Sequence, residues 1–453
     1  MDTGSLIADL KSIELGRAVG HVEEVVGDGL RISGLSAWAR VGDWLTLRRP
    51  GRPDLCGEVH RIGPEDLFMD PHVPPEGVSV GDRVLLSPPP VFAPGAHWIG
   101  RVIDPFGRPL DGRPLLRGPE ARELHIAPPP PNERLPLGER LNTGLAVLNT
   151  LLPLVRGQRI GLFAGSGVGK SRLLACLARS AEADVIVIAL IGERGRELRE
   201  FVTEVLGPEG MRRAVLVAAT SDRPAAHRRR CAAAALTVAE FFREQGKDVL
   251  LLADSITRLA EAHREAALTA GEAPALRGFP PSVTPLITGL TERAGPGREG
   301  EGSITAVFTV LVAGSDMDEP IADILRGVLD GHVVLDRDIA ERGRFPAIDV
   351  GRSVSRALPD AASEEENVLI SDVRRLLGAY ERSEVMLRAG LYSEGNDPLL
   401  DQAVRVWPDL DQFFAAGGEG GIEDGFNRLR LILKRAQAGG AKAMPTQQSK
   451  SSV

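Results

Sequence analysis

The chain has 453 residues, 43% apolar and 26% charged, with a formal net charge of −8, and a soft scale of about 150 residues per domain predicts two to four domains. That charge gives no basic footprint for nucleic acid, and aromatics at 4% make a poor base-stacking platform. Three cysteines without CxxC spacing exclude a disulfide framework or zinc site and point to a reducing compartment.

The N-terminal segment, residues 1–16, has no long apolar stretch of the secretory kind. Its mixed apolar spacing, running on through SLIADLKSIELGRAV, suits contact with a regulator or a membrane surface. Over residues 17–90, the segments AVGHVEEVV, LRISGL, DWLTLR and DRVLLS, punctuated by Gly, Pro and Asp, predict a small β-barrel or sandwich. SPPPVFAPG (87–95) and four prolines (128–131) read as rigid connectors around GRVIDPFGRPLDG, whose paired turn signals predict a hairpin.

The pattern changes within residues 91–365. Continuous apolar runs at 159–164, 185–191, 214–219, 249–253 and 304–312, several separated by helical stretches such as CAAAALTVAEFF, predict a parallel sheet covered on both faces. The longest of the first four, VIVIALI, is far short of the ~20 residues of a membrane span. Residues 366–436 show helical spacing in NVLISDVRRLLGAYERSEVML and FNRLRLILKRA. Residues 437–453 form a polar, small-residue tail expected to be disordered, and no internal repeat is evident.

Residues 164–171, AGSGVGKS, fit the Walker A pattern with Ala164 in the first glycine position. Such a loop (Gly165, Ser166, Gly167, Val168, Gly169) turns backbone N–H groups toward phosphate oxygens ahead of a helix N-terminus. Lys170 would reach the β- and γ-phosphates and Ser171 would ligate Mg²⁺. The bland alternative is a glycine-rich turn without a ligand, but an apolar strand before and RLLACLAR after supply the context phosphate binding needs. VLLLAD places Asp254 at the end of a buried strand, the Walker B arrangement for orienting magnesium or its water shell; otherwise that Asp caps the next helix. Glu193 lies just past the run VIVIALI, on the side where open α/β sheets bind ligands. A carboxylate there can polarise an attacking water, or be a surface charge at a helix start. Arg194 is either a stabiliser of departing phosphate or an exposed ion-pair partner. No Asn-Lys-x-Asp guanine motif and no Leu-Ser-Gly-Gly signature occurs.

AGSGVGKS, IGERGRE, LLLADSITRLAEAHRE, RGFPPSV and IADILRGVLDGHVVLDRDIAERGRFPAIDVGRSVSR together resemble the type III export ATPases, relatives of the rotary ATP synthase catalytic subunit, from about residue 97 to 436. The flagellar export ATPases are the most similar branch and the injectisome ATPases close siblings. The resemblance implies an α/β fold: a RecA-like P-loop NTPase core with an N-terminal β-barrel and a C-terminal helical domain. It implies ATP and Mg²⁺ bound between neighbours of a hexameric homo-oligomer, in the cytoplasm and peripheral to the inner-membrane export gate. It also implies an export-apparatus regulator at the N-terminal segment, a central stalk and export substrates or chaperones at the C-terminal domain, and no nucleic acid. Carried over by motif, Lys170 and Ser171 serve phosphate and magnesium, Glu193 activates water and Asp254 supports magnesium. Arg258 matches an arginine near the γ-phosphate, and Arg356 the finger that enters the next subunit's site. Phe345 matches the aromatic beside adenine, with Phe413 or Phe414 closing the other side, and Leu391 and Tyr392 fall in the region facing the ring's channel. Two stretches depart from the family pattern: TPLITGLTERAG lacks the usual Phe, and GPGREGEGS is rich in glycine and charge. A Rho-type RNA translocase would need a basic aromatic N-terminal surface, where residues 17–88 offer Trp38, Trp44 and Phe68 among many acids. A rotary synthase subunit is disfavoured by the IGERGRE and AGSGVGKS variants.

Overall fold

The computed structural model describes residues 18–49, 51–312 and 317–438. The segment at 1–16 and the tail from 439 lie outside the described residues; 437 and 438 end the last helix.

Six strands, β1 (Val19–Val26), β2 (Gly29–Ser33), β3 (Trp44–Leu47), β4 (Leu55–Ile62), β5 (Asp66–Pro71) and β6 (Arg83–Ser87), close an antiparallel barrel in the order β1-β2-β5-β4-β3-β6. Alternation makes it: Leu55, Gly57 and Val59 of β4 point inward while Cys56, Glu58 and His60 point outward. The inward residues join Val22, Leu30, Ile32, Leu45, Leu67, Met69 and Val84 in one small core. Closure leaves no unpaired sheet edge.

The main sheet is built from β7 (Arg101–Ile103), β8 (Arg159–Ala164), β9 (Val185–Glu193), β10 (Ala214–Thr220), β11 (Val249–Asp254), β13 (Ser303–Leu311), β14 (Gly331–Leu335) and β15 (Ile348–Ser355). Its order is β15-β14-β8-β13-β11-β9-β10-β7, with a two-residue β12 (Gly295–Pro296) beside β13. The five expected apolar runs are its central strands, parallel to one another. The expected hairpin is only partly one: residues after β7 fold back to a single bridge between Ile103 and Pro109, while β7 itself joins the sheet parallel to β10. GPGREGEGS, a departure from the family pattern, becomes β12 and the turn into β13.

Helices cover both faces: α1 (Lys170–Ser180), α2 (Gly195–Glu200), α3 (Ala225–Glu244), α4 (Ile256–Thr269), α5 (Val283–Glu292), α6 (Pro320–Val328) and α7 (Arg337–Glu341). Along β9, Ile186, Ile188 and Leu190 pack toward α1, whereas Val185, Val187, Ala189 and Ile191 pack toward α3 and α4. Each fully buried aliphatic side chain here contributes about 1.5–3 kcal/mol. The alanine run of α3 lets that helix lie close against the sheet.

Three C-terminal helices follow: α8 (Glu364–Arg388), α9 (Pro398–Ala415) and α10 (Gly421–Ala438). A capping box, Ser363 with Glu366, starts α8. Phe413, Phe414, Phe426 and Leu429 join the same hydrophobic cluster as Leu173, Leu174 and Leu177 of α1. Among the described residues, no helix is long and apolar enough to cross a membrane.

Candidate active site

The loop Gly165–Gly169 joins the end of β8 to the start of α1. Gly167 and Gly169 hold φ values of 80° and 89°, a left-handed backbone that costs other residues about 1–2 kcal/mol. A Cβ on Gly169 would also come 3.1 Å from the Phe345 ring. The turn presents the first N–H groups of α1, with their partial positive charge, to a cavity of about 750 Å³. Val168 differs from its neighbours: its side chain is buried in the core and anchors the loop instead of lining the cavity.

Gly165, Ser166, Gly167, Gly169, Lys170 and Ser171 line the cavity with Glu193, Arg194 and Arg258. The Lys170 ammonium donates to Asp254 Oδ1 and lies 3.6 Å from Glu193 Oε1. Asp254, buried at the end of β11, also accepts from Thr309 Oγ1 at 2.7 Å. It does not cap α4; Ser255 does, accepting from the Arg258 N–H at 3.3 Å. β11 and β9 are adjacent, so the sheet itself brings the two carboxylates to one lysine.

Glu193 is the last residue of β9. Burial first, then a hydrogen bond with Glu197 and the charge of Asp254, push its carboxyl up to about 7, against the pull of Lys170. Glu197, on α2, is held below its usual range chiefly by that same hydrogen bond. Arg194 is 81% exposed and pairs with Glu197 at 3.1 Å. Arg258 pairs with Glu261 at 2.9 Å.

Phe345 is 38% exposed beside Gly169. Phe413 and Phe414 do not join it: both are fully buried, with Arg428 and Arg344 each 5.3 Å over their rings, and neither lines the P-loop cavity. Arg356 follows β15, exposed, donating to the Arg326 carbonyl at 3.1 Å and outside the lining of its own chain's cavity. Leu391 is exposed past the end of α8, whereas the Tyr392 hydroxyl is tied to Asp401 at 2.7 Å. TPLITGLTERAG, despite its departure from the family pattern, forms α5 with Val283, Ile287 and Leu290 buried.

Sequence reasoning passed over Glu197, Ser221 and Arg228, which also line the cavity. Glu197 was signalled by its place in GERGRE, four residues after Glu193. Arg228 had no local signal, standing in a run of three arginines; it bonds Glu265 at 2.6 Å.

Two family profiles match the chain: the ATP synthase alpha/beta family, nucleotide-binding domain, over residues 144–355, and the T3SS EscN ATPase C-terminal domain over 362–417. The flagellum-specific ATP synthase of Caulobacter vibrioides is 44% identical over 439 residues, 95% of this chain and 99% of the relative. The assembled ATPase EscN of the enteropathogenic E. coli type III secretion system superposes with a TM-score of 0.85 at 36% identity, over 91% of this chain and 100% of that one. The same ATPase in complex with its central stalk EscO gives 0.82 at 37% identity, with the same coverage.

Proposed function

The chain belongs to the ATP synthase alpha/beta family, in its type III export branch, and from that membership we propose that it hydrolyses ATP to energise the export of flagellar components as a ring of identical subunits. The observation that carries the reading is a cavity lined by a glycine loop at a helix N-terminus, Lys170 and Glu193, with the buried Asp254 of the adjacent strand bonded to that lysine. Relatives named as flagellum-specific, at 40–44% identity over 84–95% of the chain, support the flagellar over the injectisome system, whose ATPase structures stand at 36–40%.

Magnesium-bound ATP supplies the scissile phosphoanhydride and the metal charge that offsets its oxygens. The Ser171 hydroxyl and the Asp254 carboxylate, hard oxygen donors of the kind Mg²⁺ takes, would hold the ion. The loop N–H groups from Gly165 to Gly169 and the Lys170 ammonium hold the phosphates, and Phe345 packs beside the adenine. Glu193, with its carboxyl near neutrality, accepts the proton of the attacking water. Arg258 and Arg194 stand at the cavity to steady charge on the departing phosphate. Arg356, outside its own cavity, enters a neighbour's, so every site of a hexamer is built from two copies. Leu391 faces the ring's channel, toward a stalk and export substrates or chaperones. The N-terminal segment meets a regulator at the membrane-side export gate, on the cytoplasmic side.

Glu193→Gln tests the central role. Turnover of Mg-ATP should vanish while binding of a fluorescent nucleotide stays within about twofold; unchanged turnover would remove Glu193 as the base. Capture of flagellar rod or hook subunits by the full chain supports the flagellar reading, and capture of needle components overturns it.

A further inference from the structure

Five of the chain's eight histidines, His60, His72, His125, His227 and His263, gather where the barrel meets the α/β unit. The His60 and His263 rings stand 6.4 Å apart and those of His72 and His227 5.9 Å apart, both edge to face across the seam. Buried ring nitrogens of His72 (Nε2), His227 (Nδ1) and His263 (Nδ1) find no hydrogen-bond partner among the described residues.

Charged groups face these rings from every side. Arg229 of α3 bonds His60 Nδ1 and Asp70, each at 3.1 Å. Arg230 bonds Glu58 at 2.7 Å, and its guanidinium lies over Trp44 and Phe106. Glu58 approaches His72 Nε2 at 3.8 Å. Arg108 faces His72 and His227, Arg223 faces His227, and Arg293 faces His125. Ser282 bonds His263 at 2.7 Å and Glu272 at 2.6 Å. Cavities of about 280 and 340 Å³ flank the seam, so it is not packed as a core is.

We infer that this seam is a proton-operated latch, in which protonation of its histidines releases the barrel from the α/β unit while both stay folded. Arg108, Arg223, Arg229 and Arg230 face the acids Glu58, Asp70, Asp104, Glu265 and Glu272 there, with Glu265 already paired to Arg228. Each added proton places another positive charge in a space shielded from water, and separation lets that charge be hydrated.

The sign follows from the closed state. Burial first, then neighbouring arginines, hold His60, His227 and His263 down at about 4, and His72 well below its usual range. Free imidazole titrates near 6.5, so the latch holds fully above that pH and weakens as pH falls toward 4. Asp70 opposes it: burial raises its carboxyl to about 6, so it takes up a proton while closed. With the three histidines at about 4 against Asp70, release is favoured roughly 15-fold at pH 6 and about a thousandfold at pH 5, relative to pH 7.

Hydrogen–deuterium exchange of the full chain at pH 7, 6 and 5, corrected for the intrinsic pH dependence of amide exchange, reads the latch directly. Peptides of β4, β5 and the start of α3 should exchange at least tenfold faster at pH 5, with β9, β11 and β13 still protected. Seam peptides equally protected at both extremes, or sheet peptides exposed together with them, would overturn it. The variant H60Q should cut the pH 5 response by about twentyfold, and a full response in it would also overturn the proposal. Should that variant fail to fold at pH 7, histidine-selective NMR of the native chain decides. Seam imidazoles that titrate only together with release support the latch; titration near 6.5 with the seam still protected refutes it.

Discussion

The P-loop cavity and the barrel seam lie back to back across the first turn of α3, which sends Arg228 into one and His227 into the other. Both are clusters of ionisable groups, and in both burial pushes titration toward the uncharged form: Glu193 upward, the histidines downward. They differ in sign and in access. The cavity is open and gathers the carboxylates of Glu193, Glu197 and Asp254 around Lys170, all of which an incoming phosphate and cation can re-pair. The seam is closed and rich in arginine, and only water can relieve it. One physical force thus yields a reactive carboxylate where solvent and ligand have access, and a fastening where they do not.

If that contrast is right, the cavity is incomplete within one chain and the seam complete. Arg356→Ala should lower turnover by roughly a thousandfold, the scale of a guanidinium supplied in trans. Mixing it with Lys170→Ala should restore part of the activity, because some sites then receive an intact loop and an intact arginine; no rescue at any ratio would show that the site is not shared. Behind the seam, Arg293 and Glu240 form a buried pair at 2.7 Å, with Glu240 only 1% exposed. Glu240→Gln should destabilise the protein by about 3–5 kcal/mol, read as a lowered denaturant midpoint, and a loss under about 1 kcal/mol would mean that water reaches the pair. The smallest effect is the pH profile of turnover. Glu193 acts only when deprotonated, so with its carboxyl at about 7 the rate should rise about tenfold from pH 6 to pH 8. A flat profile would place its ionisation outside that window.

What a reader of the sequence can see depends on whether the signal is local. The five central strands are unbroken apolar runs because both their faces are covered, and the P-loop shows itself through glycines that only its backbone demands. β15 escaped notice because IDVGRSVS buries only some of its residues and so carries no apolar run. Phe413 and Phe414 looked like aromatics of the nucleotide pocket, yet both are buried in the core, with Phe414 edging a separate cavity beside Tyr380 and Trp407. The seam was hidden for another reason. Alternation along β4 puts His60 on the outside of a barrel, but the partners that cover it arrive from α3 and α4, far along the chain. Within the run Arg228, Arg229 and Arg230, helical rotation of about 100° per residue alone decides which arginine serves the cavity and which the seam.

The three C-terminal helices have a mechanical consequence. Phe413, Phe414 and Phe426 are set in the same close-packed cluster as Leu173 and Leu174, one turn along from the phosphate loop. The helical unit is therefore anchored in the same core that receives the helix of the nucleotide loop, and it carries the exposed Leu391 at its far end.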